Sequence, residues 1–237
     1  AAFAALLTEL GVTKEALLAD KPLVNAVLKY HVLGSRVARA DVPLGKAITP
    51  LSGGFFKIEN AGGLKVTDGR NRVTKITDTD IQASNGVIHL VDHVLLPANK
   101  DIVATAAALP DFSILVEAVV AAGLVSTLQG PGPFTVFAPT NAAFASLFME
   151  LGVTKEALLA DKTLLTTVLT YHVVPARVLK AEVPLDTPIT SVQGQTFTVN
   201  GSLVITDQRM RQSKIVIADV FTSNGVIHAV DKVILPK

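Results

Sequence analysis

No cysteine occurs among the 237 residues, which excludes disulfide staples, thiol catalysis and cysteine-ligated metals. It leaves the compartment open, because exported bacterial proteins often manage without cysteine. Net charge is nearly as scarce. Lys and Arg number 21 against 20 Asp and Glu, so no global field gathers nucleic acid, anionic membrane or acidic substrates, and any charge-driven contact must be local. Signatures of covalent catalysis and phosphate binding are missing too. There is no G-x-S-x-G elbow, and the prolines alternating with Gly130 and Gly132 remove the N–H donors that a phosphate loop needs. No enzyme activity, cofactor or nucleic-acid partner is therefore expected. Residues 118–149 carry no charge, yet Gly130-Pro131-Gly132-Pro133 interrupts them, so they read as soluble core and no integral membrane segment is expected. No charged stretch followed by an apolar one opens the chain. A signal peptide is expected to be absent or already removed, and the start at Ala1 reads as a cut.

What is present is a composition of 49% hydrophobic and 17% charged residues, ample for packed cores in one or two domains. An internal repeat decides the organisation. LGVTKEALLADK at Leu10–Lys21 recurs unchanged at Leu151–Lys162, and Tyr30-His31 recurs at Tyr171-His172, both with an offset of 141. SNGVIH at Ser84–His89 recurs at Ser223–His228 with an offset of 139. The two-residue difference falls between Phe56 and Leu64, a change that a hairpin loop tolerates. Ala1-Ala2-Phe3 matches Ala142-Ala143-Phe144, so the first copy has no counterpart to about 43 residues from Asn99 to Asn141. The predicted domains are 1–97, truncated at its N-terminus, and 98–237, complete.

Within the complete copy, Asp101 caps a helix carrying Ile102, Ala106 and Leu109, and Pro110 breaks it before a second helix that stops at Gly123. FTVFAP at Phe134–Pro139 has the makeup of a buried strand, and Thr140 and Thr154 can cap further helices. Leu164, Thr167, Val168 and Tyr171 fall at helical spacing, as do Leu23, Ala26, Val27 and Tyr30, so each tyrosine ends an inward stripe and each histidine sits where helix becomes strand. From Ile189 onward short extended runs and an Asn200-Gly201 turn predict an antiparallel β-rich half, in an α+β domain.

FTVFAPTNAAF at Phe134–Phe144, Tyr171-His172 and the closing SNGVIHAVDKVILP at Ser223–Pro236, with their partial copies in the first half, resemble the fasciclin domain family. The resemblance implies two tandem domains, each a wedge-shaped antiparallel β-sandwich with a helical layer. It also implies exported proteins, extracellular, periplasmic or on the cell surface, that mediate adhesion or matrix contact without catalysis. The partner so implied is a cell-surface or matrix protein or polysaccharide.

Three groups of residues compete for a binding role. Asn99-Lys100-Asp101-Ile102 resembles segments proposed as integrin contacts in periostin-like members, although an interdomain linker whose Asp caps a helix is the simpler reading. Tyr30-His31 and Tyr171-His172 resemble an adhesion motif of that group, but their place on an apolar stripe argues for core. Arg70, Arg72 and Lys75 reappear as Arg209, Arg211 and Lys214, beside Asp68 and Asp207, in turns expected to face solvent. Two such cationic tips could engage a polyanion bivalently; otherwise they serve solubility. His89 and His228 are expected to be hydrogen-bonded structural imidazoles. His93, four residues beyond His89 on one predicted strand, is replaced by Lys232 in the second copy, so no metal site is expected.

The truncated copy should leave apolar surface uncovered, so the missing part is expected either to exist outside these residues or to come from self-association with another chain. The alternative function is a small-molecule or lipid carrier with an apolar crevice, which a pocket above ~300 Å³ would favour.

Overall fold

The computed structural model describes residues 2–237. It divides into two compact units, one ending at Asn99 and the other beginning at Lys100. Unit 1 opens with helices α1 (Ala2–Leu10), α2 (Lys14–Ala19) and α3 (Lys21–Tyr30). Thr13 and Asp20 cap α2 and α3 by accepting from the backbone N–H groups of Ala16 and Leu23, which the first turn of a helix cannot satisfy itself. Strands β1 (Lys57–Asn60), β2 (Leu64–Thr67), β3 (Val73–Ala83) and β4 (Gly86–Val91) follow as an antiparallel meander in chain order. One face of it packs Phe56, Ile58 and Val66 against Tyr30 and Leu95.

Unit 2 contains the same frame with an additional N-terminal part. Helices α4 (Ile102–Ala107), α5 (Ser113–Ala121) and α6 (Val125–Leu128) lead into strand β5 (Phe134–Pro139). Next come α7 (Asn141–Leu151), α8 (Lys155–Ala160), α9 (Lys162–Tyr171) and the two-residue strand β6 (Val173–Val174). The chain closes with β7 (Ile189–Thr190), β8 (Thr196–Val199), β9 (Val204–Thr206), β10 (Gln212–Thr222) and β11 (Gly225–Val230). The strands are ordered β6-β5-β11-β10-β9-β8-β7.

One pairing departs from the antiparallel expectation: β5 runs parallel to β11, from Phe134 opposite Gly225 to Pro139 opposite Val230. The helices α7 to α9 and the rest of the sheet lie between these strands in sequence, which supplies the long connection a parallel pair requires. Both strands are buried on both faces. Val136, Ala138, Ile227 and Ala229 pack against the helices, while Phe137 and Val230 join Tyr171, Phe197 and Ile205 on the opposite side. Shifts of register in β10 after Ile215 and Ile217 rotate the strand between these two cores. Among the described residues, the strand expected after each histidine is present in unit 2 alone, as β6, where it pairs with β5.

Candidate functional site

Both repeated tyrosines, with His172 and His228 of unit 2, face inward. Tyr30 and Tyr171 are 0% exposed, and their hydroxyls donate to the carbonyls of Phe55 at 2.6 Å and Thr196 at 2.8 Å. Burial pushes both phenols up, Tyr171 to about 12, so both remain neutral donors. The Nδ1 of His172 meets the Val168 carbonyl at 2.7 Å, and its Nε2 accepts the Ile234 N–H at 3.1 Å. That geometry fixes the Nδ1–H tautomer, and burial pushes the imidazole down to about 4. His31 repeats both bonds, to Val27 at 2.7 Å and from Leu95 at 2.9 Å, but lies exposed. His89 and His228 close a second repeated link. Their Nε2 atoms meet the carbonyls of Val37 and Val178, each at 2.9 Å, and their Nδ1 atoms accept from Asp80 N and Asp219 N. With both ring nitrogens engaged, none of the four is free to ligate a metal or carry a proton for a reaction. His93 lies beyond the end of β4, exposed and bonded to Asp92 at 2.9 Å, so it shares no strand face with His89.

The cationic hairpins are built differently from the solvent-facing tips expected. Asp68 is 0% exposed, and its carboxylate accepts from Arg70 N and Arg72 N at 3.0 Å and from Leu96 N at 2.9 Å. Asp207 accepts from Arg209 N, Arg211 N and Leu235 N at 2.8–2.9 Å. A buried carboxylate needs such donors and a nearby cation, and at Asp68 this need turns Arg72 inward. Arg72 grips Asp68 through Nε and Nη2, reaches the Val94 carbonyl and pairs with Glu9 on α1. Arg211 bonds Glu150 on α7 and the Val233 carbonyl, and Arg209 donates to the Pro236 carbonyl at 2.8 Å. Arg70 is half-buried, with a buried Nε that has no hydrogen-bond partner. Lys75 and Lys214 are exposed. Arg72 and Arg211 therefore latch a sheet to its helices, while Lys75, Arg209 and Lys214 remain exposed.

Asn99 and Lys100 are exposed, whereas Asp101 caps α4 through Ala104 N at 2.7 Å and Ile102 is buried at 3% exposure. Only the first two residues of this segment are free to touch a partner. A residue not singled out from the sequence organises its surroundings. Asn224 accepts the Ile102 N–H at 3.0 Å and donates to the carbonyls of Leu128 and Gly130, tying the turn before β11 to α4 and α6. The Asn-Gly turn signal, which needs no particular side-chain partner, masked this role. No group of three or more His, Asp or Glu residues among the described residues is placed to hold a metal ion. The crevices of unit 2 have volumes of about 60 and 260 Å³, while a cleft of about 540 Å³ lies in unit 1 beside β4.

Two units, each with helices beside a β-sheet and with buried Tyr and Asp side chains, define a repeated α+β domain. The fasciclin domain profile matches residues 1–97 and 110–236, and the chain belongs to that family. It is 46% identical over 138 residues to Protein sll1483 of Synechocystis sp., covering 57% of this chain and 73% of that protein. It is 36% identical over 113 residues to the cell surface glycolipoprotein MPB83 of Mycobacterium bovis, covering 48% of each. Human periostin matches at 28% over 231 residues, but the chain spans only 25% of it. Among solved structures, the domain pair of the insect cell adhesion molecule fasciclin I aligns over 92% of this chain and 82% of that one, with a TM-score of 0.53 at 16% identity. No helix among the described residues is long and apolar enough to cross a membrane.

Proposed function

We propose that the chain is a non-enzymatic, exported adhesion module that binds a cell-surface or matrix protein or polysaccharide through exposed loops. One observation carries this reading: the side chains with chemistry to offer, repeated in both units, are engaged in backbone hydrogen bonds, leaving recognition to exposed segments such as Asn99-Lys100, Lys75 and Lys214. The names of two similar proteins, a cell surface glycolipoprotein and a cell adhesion molecule, support an extracellular, periplasmic or surface location. The carrier alternative keeps one observation in its favour, a cleft of about 540 Å³ in unit 1, at the position where unit 2 seats β5.

The test is a glycan and matrix-protein array probed at two salt concentrations, with localisation of the native protein. Retained binding of a defined ligand by an exported protein is expected. A cytoplasmic location, or deletion without effect on surface attachment, would contradict the proposal.

A further inference from the structure

Helices α7, α8 and α9 of unit 2 do not close fully on one another. They leave a crevice of about 260 Å³, walled by apolar side chains such as Phe144, Leu147, Leu158 and Leu165 and edged by Leu235 and Pro236. Unit 1 has a crevice of about 170 Å³ among the equivalent helices, with walls from Phe3 to Leu28, the counterparts of Phe144 and Leu169. The neighbours of the two differ. In unit 1 the chain runs on past Pro97, and in unit 2 helix α5 packs beside α7, α8 and α9. A hollow that persists beside both sets of neighbours belongs to the three-helix layer itself. Protein interiors normally pack without such gaps, and an apolar hollow with a few convergent polar groups is the usual form of a small-ligand site.

The polar groups at the mouth in unit 2 carry one sign of charge. Arg209 and Lys237 are both on the lining, and no Asp or Glu is. Arg209 is held in place by its own surroundings: its Nε donates to the Pro236 carbonyl at 2.8 Å, and its backbone N–H donates to Asp207 at 2.9 Å. Its two terminal nitrogens have no protein partner among the described residues. Asp207 is taken up by three backbone N–H groups and Glu150 by Arg211, so neither neutralises it. A guanidinium fixed through Nε with its outer N–H groups unspent is suited to a two-pronged grip on a carboxylate. In unit 1 the counterpart Arg70 is half-buried and does not line the crevice, where Lys14 is the charged residue.

We propose that the crevice of unit 2 binds a free, straight-chain carboxylic acid of medium length, its alkyl chain between α7, α8 and α9 and its carboxylate on the guanidinium of Arg209. The apolar walls exclude a polar chain, and the two cations select an anionic head. A volume just under the ~300 Å³ at which ordinary ligand pockets begin admits one chain and excludes a two-chain lipid. Binding is confined to unit 2, because unit 1 offers a smaller hollow with no arginine at its mouth. This activity is additional to adhesion through exposed loops and does not depend on it.

The probe is decanoate, kept below its micellar concentration and titrated into the whole chain by calorimetry. Saturable one-to-one binding is expected, with slowed amide exchange within Lys155–Tyr171. Decanol, which has the same chain and no charge, should bind about tenfold more weakly. Arg209→Gln should bring decanoate down to the level of decanol, whereas Arg70→Gln should leave it unchanged. Thr167 is half-buried on the lining, and Thr167→Phe should fill the crevice and abolish binding of both compounds. The comparison of decanoate with decanol uses the unaltered chain, so it stands even if a substitution disturbs folding. Absence of saturable decanoate binding, equal affinity for the two compounds, or a loss caused by Arg70→Gln in place of Arg209→Gln overturns the proposal.

Discussion

Strands β4 and β11 begin with the same four residues, Gly-Val-Ile-His, followed by Leu in one and Ala in the other, and yet β11 is buried throughout while β4 is half-open. Each pairs with the strand before it through a tight turn, and each holds its histidine on the same two main-chain groups. The difference comes from beyond the strand, because β5 and α4 to α6 cover β11 and have no counterpart over β4 among the described residues. Local sequence sets hydrogen-bonded geometry, and the neighbouring layer sets burial. His31 and His172 teach the same lesson one step removed, with identical partners and opposite exposure.

The largest expected break in this comparison is Gly225→Val against Gly86→Val. The first should destabilise unit 2 by about 3 kcal/mol or more, because the new side chain collides with the Phe134 backbone, and the second should change unit 1 by under ~0.5 kcal/mol. Urea unfolding read by tyrosine fluorescence separates the units. Each contains one tyrosine and the chain has no tryptophan, so a Tyr30→Phe background reports unit 2 alone. The buried aspartates should behave alike in the two units. Asp68→Asn and Asp207→Asn each replace a carboxylate oxygen by an amide facing a backbone N–H, and each should cost about 2–3 kcal/mol in the same unfolding measurement.

The histidines sharpen the comparison through pH. Burial holds His172 down to about 4 in the folded state, below the 6.5 of an exposed imidazole, so the unfolded chain takes up its proton first as the pH falls. Its contribution to unit 2 is complete above about 6.5 and declines towards pH 4, by about 3 kcal/mol in all. His172→Asn should flatten that slope when unfolding is measured across the interval. The smallest effects belong to the tyrosine hydroxyls: Tyr30→Phe and Tyr171→Phe should each cost about 1 kcal/mol, equal within error, by circular-dichroism thermal melts.

Much of this frame was legible in the sequence. Exact repetition placed two equivalent folds, the cap residues Asp101, Thr140 and Thr154 marked helix starts, and FTVFAP announced a buried strand. The parallel pairing of β5 with β11 was not legible, because it joins segments about ninety residues apart and leaves no periodic trace. The inward turn of Arg72 and Arg211 was missed for a different reason. Asp and Arg in a turn have the composition of a solvated loop, and only the tertiary placement of Leu96 and Leu235 beside the carboxylates shows that the charge is enclosed. The unequal burial of His31 and His172 depends on a layer that the two local sequences do not encode.

Amide hydrogen exchange of the free chain, resolved by residue, tests most directly whether the covering layer separates the two halves. The backbone N–H groups of β11 that point toward β5 should exchange orders of magnitude more slowly than the corresponding groups of β4, which face open space. Equal protection of the two strands in a monomeric sample would contradict this account of their unequal burial.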